Sequence, residues 1–149
     1  EIFPVMGALE ALAGSLACAR LTDTEFAEIR ALHYQMALHH TRQELQEYFQ
    51  LNQQIHEAIL MAAQNPTLEV QYRSLAGRIR LARYRANMTQ ARWDQAMREH
   101  EEILSALESR DGEALSAVLN QHLVNKQETV KQAIRDGVGE AHGIASVYD

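Results

Sequence analysis

The stretch REHEEILSALESRDGEALSAVLNQHL, residues 98–123, decides how the chain is read. Ile103, Leu104 and Leu107 recur at helical spacing, Asp111-Gly112-Glu113 interrupts them, and a second helical pattern then runs through to His122. Asp111 is a suitable N-cap, so two helices joined by a tight corner are expected, each carrying one histidine. Upstream, LNQQIHEAIL (51–60) puts another histidine, His56, on a third helical stretch. These polar side chains on amphipathic helices are ordinary helix residues, or they are parts of one site that only folding assembles.

Working outward, the remaining pattern is helical too, and no strand alternation competes with it. The first helix is predicted from about Pro4 to Ala19, where proline is tolerated because a first turn does not need its missing N–H. Thr22 and Glu25 have capping-box spacing, so a second helix begins near Asp23, with Phe26, Ile29, Leu32, Met36 and Leu38 as its apolar residues. A polar corner at His39 to Arg42 precedes a third helix reaching about Gln64, whose stripe is Leu45, Phe49, Leu51, Ile55, Ala58, Ile59 and Ala62. Asn65-Pro66 stops that helix and starts a fourth, which runs to about Met88. The fifth covers Gln90 to Ser109 with Trp93 and Met97 inside, and the sixth Glu113 to Ile134. Gly137, Gly139 and Gly143 mark a fraying tail. Short connections between such helices describe an all-α antiparallel bundle.

Composition excludes several classes. The 149 residues suit one domain with a sizeable core, and 46% apolar with 23% charged residues is ordinary for a globular chain. A formal charge of −6 argues against a basic nucleic-acid surface covering the molecule. The lone Cys18 is expected to be a buried small apolar residue, and a chain without an internal disulfide fits a reducing, cytoplasmic setting. No uninterrupted apolar run reaches the length of a membrane span, and EIFPVMGALEALAGSLACAR (1–20), with Glu10 inside it, reads as a first helix and not as a leader. The chain begins without methionine, so a partner domain outside it stays in view.

Asn52 and His56 are four residues apart and share one helix face. Together with His100 and His122 they offer an amide oxygen and three imidazoles, a donor set that zinc and nickel both accept. Spacing alone leaves open whether these residues converge or are simply solvated. His39, His40 and His142 read as surface or tail residues, and His33 as facing partly polar surroundings.

The segments ALEALAGSLACARLTDTEFAEI (8–29), LNQQIHEAILMAAQNPTL (51–68) and the opening stretch, in this order and spacing, resemble the C-terminal effector-binding FCD domain of FadR-like GntR-type bacterial transcription regulators. The resemblance covers residues 7 to 134. It implies a bundle of six to seven helices with an internal ligand cavity, and makes 1–149 a single effector-binding domain whose winged helix-turn-helix partner lies upstream, outside this chain. It further implies a divalent metal ion held by His56, His100 and His122, with Asn52 where the family has aspartate. Ile55 replaces the aromatic residue that usually precedes the histidine.

Small organic acids bind beside the metal in such domains. Of the arginines crowding the fourth helix (Arg73, Arg78, Arg80, Arg83, Arg85), Arg78 is the first candidate for reading a carboxylate metabolite, followed by Arg73 and Tyr72. Tyr84 is expected in the cavity wall or between the subunits of a homodimer. Operator DNA would be reached only through the upstream domain. No nucleophile motif or phosphate loop is present, and Glu57, Glu99 and Glu101 are expected to turn away from the histidines, so the implied role is a sensor, not an enzyme.

Overall fold

The computed structural model describes residues 1–86 and 89–135, without the side chains of 81–86 and 133. Within these residues the chain forms six helices: α1 (Ile2–Arg20), α2 (Asp23–Thr41), α3 (Leu45–Ala62), α4 (Pro66–Ala86), α5 (Gln90–Glu108) and α6 (Gly112–Arg135). Successive helices are separated by two or three residues, and of the sequence neighbours only α2 with α3 and α5 with α6 pack extensively on one another. The expected tail at Gly137, Gly139 and Gly143 and the expected fourth-helix end at Met88 lie outside the described residues.

Local chemistry sets the boundaries. Thr22 accepts a bond from the Glu25 N–H at 3.1 Å while Glu25 accepts one from the Thr22 N–H at 3.0 Å, the reciprocal box that the sequence predicts. Asn65 caps α4 through the Leu68 N–H at 3.0 Å, and Asp111 caps α6 through the Ala114 N–H at 3.0 Å. Three helix ends turn through left-handed residues that are not glycine: Gln43 (φ 60°), Gln64 (φ 52°) and Arg110 (φ 57°). After two of them the chain closes a six-residue loop, Glu44 N–H to His39 O and Asp111 N–H to Ala106 O, both 2.9 Å.

The first helix is the hub. It packs most extensively on α6 and also on α3 and α4, while α2 pairs with α3 and α5 pairs with α6. By length and composition α1 could cross a membrane, but half of the relevant window is buried inside the bundle, as expected of a core helix that must be apolar on several faces. Gly14 permits the close approach of α6: a methyl group there would lie 2.6 Å from Leu119 Cδ1 and 2.9 Å from Leu115 Cγ.

Two apolar clusters form the core. One gathers Ile29, Met36, Ile55, Ile59, Trp93, Met97 and Ile103. The other gathers Phe3, Met6, Leu60, Leu68, Ile79 and Leu123. Leu38, expected inside, is 47% exposed, whereas Tyr48 and Leu60 are buried without having been expected there.

Candidate metal centre

Three of the helix-borne histidines converge in the bundle interior. His56 from α3, His100 from α5 and His122 from α6 are all buried, and one nitrogen from each ring lies within 4.8 Å of the others. His56 and His122 are stacked with ring centroids 5.6 Å apart. His100 stands edge-on to both, at 5.3 and 5.0 Å. A zinc–imidazole bond is about 2.0–2.1 Å, so small side-chain rotations bring three such nitrogens onto one ion.

The chemistry of the ring atoms fits a cation. Neither nitrogen of His100 has a hydrogen-bond partner, although the side chain is 1% exposed. Such a group is costly to bury unless something completes it. Burial pushes the His100 pKa well below the ordinary range, helped by the positive fields of His122, His56 and Lys126. The ring is therefore neutral at physiological pH, the form that binds metals. Asn52, one turn before His56, is 1% exposed, and both its amide oxygen and its amide nitrogen are without hydrogen-bond partners. It stands buried on the face that carries His56, as the i, i+4 spacing requires.

Around the histidines lies a shell of buried charge that the sequence reading missed. Glu99 was expected to turn outward. Instead it is buried at 7% exposure and receives His122 Nδ1 at 2.7 Å, Asn125 Nδ2 at 2.7 Å and the Arg92 guanidinium. The correction has a simple cause: α5 is flanked by α6 on one side and α2 on another, so positions 99 and 100 both face protein. Glu101 and Glu102 are exposed, as expected. On the opposite flank Glu10 of α1, 3% exposed, lies 3.4 Å from His56 Nδ1 and accepts the Tyr72 hydroxyl at 3.0 Å. Lys126, one turn beyond His122 on α6, is also buried. A glutamate inside an apolar first helix was the available signal for Glu10.

The effector candidates part company. Tyr72 reaches the centre through Glu10. Arg73 is half-exposed and pairs with Glu57 and with Glu69 at 3.0 Å, and Arg78 is exposed on α4, so both point away from the buried histidines. The side chain of Tyr84 lies outside the described residues. Histidines 39 and 40, expected to be solvated, are largely covered: His39 meets Glu44 at 2.9 Å and His40 meets Asp94 at 2.7 Å, with the His40 ring edge-on to Trp93. His33 is buried, and burial lowers its pKa against an opposing field from Glu101. Cys18 is buried, as expected. An open groove of about 640 Å³ between α5 and α6, lined by Gln95, Arg98, Glu99, Glu102, Gln121 and Asn125 among others, reaches Glu99 from the surface.

A six-helix bundle around three buried histidines places the chain among all-α helical bundles. The chain belongs to the FCD domain family, whose profile matches residues 1–125, the regulatory domain of GntR-type transcription regulators. The HTH-type transcriptional repressor RspR of Escherichia coli K12 is 24% identical over 125 residues, covering 84% of this chain and 55% of that protein. The HTH-type transcriptional regulator YdfH of Shigella flexneri matches to the same extent. The chain thus spans about half the length of the curated relatives it matches. Among solved structures, E. coli McbR/YncC superposes with a TM-score of 0.79 at 20% identity, over 89% of this chain and 67% of that one, and so shares the fold. Domains of this family are regulatory and not catalytic, and this one is not an enzyme.

Proposed function

We propose that the chain is the effector-sensing domain of a cytoplasmic transcription regulator that binds a small carboxylate metabolite beside a divalent metal ion. His56, His100 and His122 would supply three nitrogen donors and Asn52 an amide oxygen, a set suited to zinc or nickel. The observation that carries this reading is the convergence of three buried imidazoles, one of them with both ring nitrogens unsatisfied. Bound there, the metal supplies a Lewis-acidic centre to which an anion can attach.

The acid would occupy an internal cavity next to the histidines, with Tyr72 in its wall. Arg73 and Arg78 face solvent, whereas Arg92 and Lys126 are buried cations of α5 and α6, Arg92 being paired with Glu99. The donors lie on α3, α5 and α6, so an effector that prefers one packing of these helices shifts the population of the bundle. A homodimer would pass that shift to winged helix-turn-helix domains outside this chain, and through them to operator DNA.

Elemental analysis of protein purified without added metal tests the centre directly. One equivalent of metal in the wild type, lost in His56→Ala and His122→Ala variants that keep their helical circular dichroism, is the expected result. Equally negligible metal in all three would mean that the histidines serve only packing or dimerisation. An anomalous-scattering map of a crystal would show the ion and any acid together.

A further inference from the structure

Resting on this reading of the centre, we infer that Glu10 and Glu99 are positioning residues for the metal ligands, Glu10 for His56 and Glu99 for His122. Each carboxylate takes the Nδ1 side of its imidazole, at 3.4 and 2.7 Å respectively. A carboxylate at Nδ1 holds the proton on that nitrogen and presents the lone pair of Nε2 in the opposite direction. It also makes the ring a stronger donor, because positive charge that the imidazole acquires on coordination is met by a fixed negative charge.

The two carboxylates are themselves fixed. Tyr72 donates to Glu10 at 3.0 Å, and Asn125 and Arg92 grip both oxygens of Glu99. Glu10 comes from α1, Tyr72 from α4, and Glu99 from the residue next to His100. Every helix except α2 therefore contributes to the centre or its support.

This arrangement answers the difficulty posed by Asn52. Three neutral imidazoles and a neutral amide leave a dication uncompensated among its direct donors. Glu10 and Glu99 each bring a fixed negative charge against one of the imidazoles, one atom shell further out. Arg92 pairs with Glu99, and the Tyr72 hydroxyl donates to Glu10.

The test uses the metal-free chain and zinc alone. Glu10→Gln and Glu99→Gln keep shape and hydrogen-bonding capacity while removing charge. Nitrogen-detected NMR of the metal-free wild type is expected to show His56 and His122 protonated at Nδ1, with that preference lost for His56 in Glu10→Gln. Zinc affinity is expected to fall by about 10–100-fold in each variant, with unchanged circular dichroism. Should Glu99→Gln fail to fold because Arg92 is left buried without its partner, Glu10→Gln and Tyr72→Phe carry the test. A wild type that binds one zinc while Glu10→Gln binds it equally well overturns the positioning role and leaves the metal centre standing. A wild type that binds no zinc overturns both. An Nε2-protonated His56 in the wild type overturns the positioning role whatever the affinity.

Discussion

In the proposed centre, Asn52 would set how strongly a cation is held. Its amide oxygen is a weaker donor than a carboxylate, and Asn52→Asp restores a negative charge with almost no change of shape. Zinc affinity is expected to rise by roughly tenfold or more, because even about 1.4 kcal/mol of added attraction has that effect; isothermal titration of the two proteins measures it. A second residue-scale expectation concerns Gln64, exposed in the left-handed region at the end of α3. Gln64→Gly removes the steric conflict of a side chain there and is expected to stabilise the fold by about 0.5–1 kcal/mol, read from urea denaturation. The histidines were legible in the sequence because their spacing was helical and their pattern resembled a family. Glu10, Glu99 and Lys126 were not, since a charged residue reads as exposed until the packing on both sides of its helix is known.

Helix ends were the most legible elements, because caps are local chemistry written in three or four residues. Thr22→Ala removes the hydroxyl that accepts the Glu25 N–H, leaves the Thr22 N–H free to keep its bond to Glu25, and is expected to cost about 1 kcal/mol in denaturation experiments. Helix faces were harder. The stripe of α3 could be read from its period, but α1 is covered by α3, α4 and α6 and shows no single apolar side. Its register against α6 depends on Gly14, which composition alone marks only as a weak helix former. Gly14→Ala is expected to destabilise by about 1–3 kcal/mol, the usual range for overpacking a filled interior. Leu115 and Leu119 would have to give way, so Leu119→Ala in the same chain should recover part of that loss.

Across the whole molecule, the buried histidines tie folding to pH. His33 and His100 are both held below the ordinary histidine range by burial. The unfolded chain binds protons at these positions as pH falls through about 6.5, while the folded chain resists until its own lower pKa values are reached. Their stabilising contribution is therefore complete above about pH 6.5 and is lost on acidification, by at most about 1.4 kcal/mol per pH unit for each histidine. Urea denaturation at pH 7.5 and 5.5 should show the decline, and His33→Gln should make it shallower. Another consequence lies in where the centre's residues fall along the chain. Positions 10, 56 and 100 are far apart in the chain, and only His100 and His122 lie on neighbouring helices, so the full set comes together only when α1 and α3 have docked on α5 and α6. Contacts of such long range close late in folding. Zinc should then leave the refolding rate nearly unchanged and act almost entirely by retarding unfolding, making the loaded bundle kinetically long-lived.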